Sequence, residues 1–460
     1  MNQPPNRFPA FAAGFTTALA IAVVFGAVAV TAATRYDDLS LFTSVLSHVK
    51  RNYVDEVDER TLVYGALHGM LQELDPHSSF LDPDAYREMQ VDTKGEFHGI
   101  GIEITKRKDG FIEVVAPIEG TPADAAGIKS RDQITSICPT ETPEGWDEPC
   151  HATKSMSLVE AVNLMRGKKD TEITIDIFRE GFDKPQPFVI LRAVVKVVSV
   201  SGRLIEPGYP LVRIRAFQER TSDDLRATLE RLREENGADF TGLVIDLRNN
   251  PGGLLDQAVR VSDVWLDHGL VVYTKGRVDT QRQEFRAHTI GTEPDYPIVV
   301  LVNEGSASAS EIVAGALQDH HRALLLGAKT FGKGSVQTIY PLDKDAGLRL
   351  TTALYYTPGG RSIQEVGIVP DIPVKPFPVA DISGDTRPRR VRERDLQGHF
   401  THSDAEPESE DLAAAADASD NDDDVQLDRA IEVLKSRVYF ERLETPPLLE
   451  SAQADAAQAQ

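Results

Sequence analysis

Residues 303–337 carry the side chains whose types and spacing suit nucleophilic chemistry. Asn303-Glu304-Gly305-Ser306-Ala307-Ser308-Ala309-Ser310-Glu311-Ile312 is followed, after an alanine-rich stretch, by Phe331-Gly332-Lys333-Gly334-Ser335-Val336-Gln337. A serine hydroxyl at a helix N-terminus lies where unpaired backbone N–H groups can stabilise a developing oxyanion. It also needs a base. No histidine stands in a comparable motif, whereas Lys333 sits in a glycine-flanked turn, and a lysine held neutral can take the proton. Its pKa would have to fall by roughly 3 units, about 4 kcal/mol of differential solvation.

The elements that must position these groups are legible on either side. The run 298–302, Ile-Val-Val-Leu-Val, is continuously apolar and β-branched, as a buried parallel strand requires. It feeds a small-residue turn that opens a helix ending near Asp319. Upstream, 211–217 and 242–247 read as strands, with a helix between them over 221–236 capped by Thr221 or Ser222. The second strand runs into Arg248-Asn249-Asn250-Pro251-Gly252-Gly253, a turn whose glycines let backbone amides face a ligand. Asp246 beside Arg248 reads as a structural ion pair. His320 and His321 suit the C-terminal end of the helix dipole. Taken alone, Ser-Ala-Ser-Ala-Ser reads first as an N-cap over a core helix, with Lys333 an ordinary loop lysine.

The two motifs together, in this order, resemble the carboxyl-terminal processing (tail-specific) serine proteases, over about residues 40–375. The resemblance implies that Ser308 is the nucleophile, Lys333 the general base and Gln337 the residue that orients the lysine. It further implies an oxyanion hole formed by the N–H groups of Gly253 and Ala309.

Residues 91–182 change to short strands and one helix near 159–166. The loop Gly99-Ile100-Gly101-Ile102, with the later Gly120-Thr121-Pro122-Ala123 and Gly127-Ile128-Lys129-Ser130-Arg131-Asp132, resembles a PDZ domain. Such a glycine loop offers N–H groups to a terminal carboxylate while a peptide adds a strand. Gly99, Ile100, Gly101 and Ile102 are therefore the expected peptide-binding residues. Arg166, near the helix end, is a candidate to pair with that carboxylate or sense it; a solvated helix-end arginine is its other reading. An acidic loop over 138–154 departs from the family pattern and bears both cysteines of the chain, Cys138 and Cys150, expected to form a disulfide in an oxidising compartment.

The 460 residues carry a formal net charge of -23, which argues against nucleic acid as a partner. Residues 8–34 lack charge and are long enough to span a bilayer, predicting a signal anchor that tethers the rest in the periplasm at the inner membrane, or export after signal cleavage. The helical periodicity over 39–90 is broken at Asp75-Pro76-His77-Ser78-Ser79, and His77 reads as a capping or hydrogen-bonding residue. The family resemblance implies homo-oligomerisation through these helices and leaves room for an activator protein. Residues beyond 376 are alternately basic and acidic, predicting disorder apart from a short helix over 428–437, with no chemistry assigned.

The expected fold is a multidomain α+β chain. It comprises a signal segment (1–38), an N-terminal helical region (39–90), a PDZ domain (91–182), an α/β serine protease core like the family's ClpP/crotonase-like fold (183–376) and an acidic low-complexity tail (377–460). No cofactor or metal is expected. The expected function is a Ser/Lys endopeptidase acting on exported proteins with accessible C-termini. A non-catalytic PDZ scaffold is the rival, opposed by the intact Ser308, Lys333, Gln337 and Gly253. A penicillin-binding enzyme would want Ser-x-x-Lys on one helix, where Ser308 is followed by Glu311.

Overall fold

The computed structural model describes residues 37–140, 148–343, 345–375, 391–401 and 424–436. The chain divides into two compact units, Met1–Leu74 and Asp75–Gln460. The apolar run over 8–34 lies outside the described residues. Among those described, no helix is long and apolar enough to cross a membrane.

The first unit contains helices over residues 37–52 and Glu59–Gln72, the latter opened by the Asp58 carboxylate accepting from Thr61 N at 2.8 Å. Leu39, Leu41, Phe42 and Val45 recur on the first helix and remain exposed.

In the second unit the helical pattern does not continue directly to residue 90. The Asp75 carboxylate accepts from His77 N and Ser78 N, both at 2.8 Å, and this turn releases the chain into a strand, Ser79–Leu81, paired antiparallel with Gly347–Tyr356. The helix Pro83–Lys94 follows, with Asp82 as cap, Pro83 in the first turn and Gly95 closing it at φ 69°.

The PDZ domain is an antiparallel sheet with strands in the order Ile102–Lys106, Ile112–Pro117, Gln133–Pro139, Glu172–Phe178 and Gln186–Leu191. Ile173, Ile175 and Ile177 alternate into its core against Ile112, Ile134 and Ile137. The helix Leu158–Met165 packs on this sheet, opened by a reciprocal Ser157/Glu160 cap. Cys138 and Cys150 are disulfide-bonded, with Cα atoms 4.1 Å apart.

The α/β core is built on a sheet ordered Val200–Glu206, Tyr209–Ile214, Leu243–Asp246, Ile298–Val302, Leu324–Gly327 and Ile372–Pro373, parallel from the second strand onward. Every residue of Ile298–Val302 is buried, because helices cover both faces of the sheet. The helix Thr221–Asn236 has Arg220 at the N-cap position; Thr221 is its first residue, and its hydroxyl accepts from Gln218 N at 2.8 Å. A second sheet contains Ser335–Pro341, Gly347–Tyr356, Leu270–Gly276 and Gln283–Arg286.

The short helix expected over 428–437 lies at Val425–Lys435, and the expectation of disorder needs correcting at residues 391–401. The helix Val425–Lys435 buries Leu427, Ile431 and Leu434 against Val244, Val299 and Leu301, and the Asp424 carboxylate pairs with Arg248. Residues 391–401 are ordered around a short 3-10 turn, Glu393–Asp395, whose Glu393 is fully buried. Average composition hid the 391–401 segment, since a few correctly placed contacts suffice to order a short stretch.

Candidate active site

Two adjacent parallel strands, Leu243–Asp246 and Ile298–Val302, deliver their following turns to the same edge of the sheet, where ligand sites of such sheets form. The turns are locked together by serine. Ser306 Oγ donates to Leu247 O at 2.8 Å, and Ser310 Oγ donates to Asn250 O at 2.9 Å. Ala307 N also donates to Asn250 O, at 2.9 Å. Ser306 and Ser310 are fully buried, whereas Ser308 between them is half-buried and its side chain makes no cap bond. Of the three serines in the motif, two are structural and one presents its hydroxyl.

Ser308 adopts φ 55° and ψ -112°, a combination that L-residues disfavour. Such strain costs on the order of 1–3 kcal/mol and persists only where surroundings over-determine it. Glu311 does much of that. Its Oε2 accepts from Ser308 N at 2.8 Å and from Lys333 N at 2.9 Å; its Oε1 accepts from Gly332 N at 2.7 Å and from Thr330 Oγ1 at 2.5 Å. Burial pushes the Glu311 carboxyl up to about 7, against these four donors. Sequence reasoning took Glu311 only as a mark against another enzyme class, yet glutamate three residues after an N-cap is the signature of a side chain that reaches back.

The Pro-Gly-Gly turn lies against the serine. A Cβ on Gly252 would stand 2.8 Å from Ser308 Cβ and 3.0 Å from Ala309 N, and one on Gly253 (φ 143°) would meet Phe217 O at 2.2 Å. Gly253 is exposed, and neither its N–H nor that of Ala309 donates to another group among the described residues.

Lys333 is half-buried, and burial lowers the pKa of its ammonium. Glu393, Glu311 and Asp75 oppose the shift and Arg349 assists it. No hydrogen bond joins Lys333 Nζ to Ser308 Oγ among the described residues. The Gln337 amide donates to Ser335 Oγ at 2.9 Å and to Thr351 Oγ1 at 3.5 Å, and the Thr351 hydroxyl reaches the Asp75 carboxylate at 3.1 Å. His77, expected to be a hydrogen-bonding residue, donates from Nε2 to the Glu393 carboxylate at 2.8 Å. Asp246 is tied to Arg248 at 2.9 Å.

In the PDZ domain Gly101 holds φ 81°, with Thr121 packed where a Cβ would be. The carbonyls of Ile100 and Gly101 accept from Ala123 N and Ile118 N, at 2.9 and 3.0 Å, while their own N–H groups donate to nothing among the described residues. Ile102 opens the next strand. Gly99 packs near Met165 O, so the helix end lies beside the glycine loop. There Arg166 stacks 5.2 Å over the Phe97 ring and pairs with Glu88 at 3.8 Å. Arg166, Phe97 and Glu88 border a cavity of about 1000 Å³ that also touches Val159 and Asn163 and that the residues Gly99 to Ile102 do not line.

Residues 208–374 match peptidase family S41, residues 88–178 match the PDZ domain, and residues 26–85 match the activating protease CtpB N-terminal domain. The chain is 42% identical over 405 residues to a carboxy-terminal-processing protease of Bartonella bacilliformis, covering 88% of this chain and 89% of that one. It is 40% identical over 318 residues to a carboxyl-terminal-processing protease of Synechocystis, covering 68% and 71%. Among solved structures it is similar to a photosystem II D1 C-terminal processing protease, at 29% identity and a TM-score of 0.41, covering 73% of this chain and 92% of that one. Fold and family together define a PDZ-containing serine-type peptidase. The chain belongs to the carboxy-terminal-processing proteases of family S41.

Proposed function

We propose that the chain is a Ser/Lys endopeptidase that cleaves exported proteins selected by their C-terminal tails. Ser308 attacks the scissile carbonyl, and neutral Lys333 takes the hydroxyl proton and delivers it to the leaving amine; water then releases the acyl group by the same route. Gly253 and Ala309 donate to the oxyanion. Gln337 orients the lysine through its amide oxygen, while its Nε2 donates to Ser335 Oγ. The observation carrying this reading is Glu311, whose one oxygen ties the backbone of Ser308 to that of Lys333. Lys333 has a flexible four-carbon stem, and catalytic hydrogen bonds absent from an unliganded site form as substrate binds.

The Gly99 to Ile102 loop would receive the substrate carboxylate, with Arg166 released from Glu88 to pair with it. The exposed Leu39, Leu41, Phe42 and Val45 support self-association through the N-terminal helices, and the match to an activating-protease domain supports an activator partner. The periplasm is the proposed compartment, reached through the 8–34 segment. Incubating the purified protein and its Ser308→Ala and Lys333→Ala variants with a peptide bearing a free C-terminus tests the assignment: only the unaltered protein should produce new termini by mass spectrometry.

A further inference from the structure

Residues 391–401 return to the α/β core, touching the Lys333 turn directly before the lysine and through Gln364 after it. Glu393 N donates to Phe331 O at 3.3 Å, two residues before the lysine. One residue after it, Gly334 N donates to Gln364 Oε1 at 3.0 Å, and the same Gln364 amide donates from Nε2 to Glu393 Oε1 at 3.0 Å. His77 Nε2 completes the set, at 2.8 and 2.9 Å from the two Glu393 oxygens. Farther along, Gln364 Nε2 holds Phe400 O at 3.1 Å and His399 pairs with Glu365 at 2.5 Å.

The manner of attachment is informative. Glu393 is the one buried residue of the segment, while Val391 and Phe400 remain exposed. A segment belonging to the core would be anchored by apolar side chains, because glutamate is almost never fully buried unless paired. Among the described residues the buried anchor of the segment is a carboxylate, received by an imidazole and an amide. A segment held by polar groups opens at lower free energy than one held by buried apolar side chains. Gln364 is fully buried and committed through Oε1 to the Lys333 turn, which directs its Nε2 donor at Glu393.

We propose that His77 and Gln364 form a carboxylate-binding subsite at the edge of the Lys333 turn, filled here by Glu393, so that residues 391–401 act as an intramolecular strap competing with peptide substrate. The strap is a ligand of the site, and a bound peptide displaces it.

The experiment uses the full chain and an internally quenched peptide. Replacing Glu393 removes a charge-assisted anchor, so Glu393→Ala should raise kcat/KM about tenfold, and Glu393→Gln should raise it less. A synthetic peptide of residues 391–401 added to the Glu393→Ala protein should inhibit with a rising apparent KM, and the same peptide with glutamine at 393 should inhibit far more weakly. Unchanged or reduced kcat/KM in both variants, or no inhibition by the added peptide, overturns the strap. The inference rests on the Ser308/Lys333 reading, but the two fail separately. Hydrolysis persisting in Ser308→Ala defeats the dyad; Ser308-dependent hydrolysis that Glu393→Ala does not raise defeats the strap alone.

Discussion

The backbone N–H groups of Ser308 and Lys333, 25 positions apart in sequence, donate to the same oxygen, Glu311 Oε2, at 2.8 and 2.9 Å. One buried carboxylate thereby fixes the backbone of Ser308 relative to that of Lys333, the proposed nucleophile and base. Glu311→Gln would turn an NH2 donor toward donors that now meet an acceptor. Leaving them unpaired costs on the order of 1–3 kcal/mol each. We predict a fall in kcat of about a hundredfold with KM little changed, since displacement of catalytic groups by about 1 Å has that effect. Steady-state kinetics checks this, and kcat within twofold of the unaltered protein would show that Glu311 does not position the pair.

A pH profile should carry the lysine's signature. Burial lowers the Lys333 pKa from an ordinary value of 10.5, so kcat/KM should rise with pH through a midpoint below that value. The facing charges are Glu393, Glu311 and Asp75, which favour the ammonium, and Arg349, which disfavours it. Removing the Glu393 charge should therefore move the limb to lower pH. Glu311 adds a stability effect. Its folded pKa is raised from 4.5 to about 7, so its contribution is fully present below about 4.5 and is lost as pH rises through about 7. Relative to Glu311→Gln, which has nothing to titrate there, the unaltered protein should lose on the order of 3 kcal/mol across that window. Denaturant unfolding at a series of pH values measures it.

The three serines of the motif should separate by stability. Ser310→Ala removes one buried hydrogen bond from a carbonyl that Ala307 N still serves, a loss of about 0.5–1.5 kcal/mol, whereas Ser306→Ala also takes the acceptor from Asn303 N, a loss of about 1–3 kcal/mol. Ser308→Gly relieves a strained φ and should stabilise by about 1 kcal/mol while abolishing hydrolysis. Thermal unfolding of the three variants decides this; equal destabilisation by all three would contradict the division.

Much of this was legible before any coordinates. The strand Ile298–Val302 announced itself by an unbroken apolar run, and the Ser308 and Lys333 motifs by small residues around a lone functional group. Less visible were contacts closed by tertiary structure. The structural roles of Ser306 and Ser310 are not visible locally, because their partners, Leu247 and Asn250, arrive from another strand. Glu393 was averaged into a charged tail, since composition does not reveal that His77, 316 positions away, is waiting for it. The strand Ser79–Leu81 was likewise absorbed into helical periodicity, its partner lying near residue 348.

Tail recognition predicts a dependence on the substrate's end. Amidating the C-terminus should weaken cleavage, and Arg166→Ala, which frees Glu88 and uncovers Phe97, should weaken it similarly. A lost charge-assisted bond corresponds to about tenfold in kcat/KM. Serine-directed reagents that bypass the PDZ domain should react at the same rate with both proteins. Equal cleavage of free-acid and amidated peptides would remove the carboxylate from the account.

The central claim is that Ser308 is the nucleophile and Lys333 its base. Intact-mass and peptide mass spectrometry after treatment with a fluorophosphonate tests it most directly. The account predicts a single adduct on Ser308, absent from Ser308→Ala and slowed at least a hundredfold in Lys333→Ala, because nucleophile and base act as one unit. An adduct on another serine, or undiminished labelling of the Lys333→Ala protein, would contradict it.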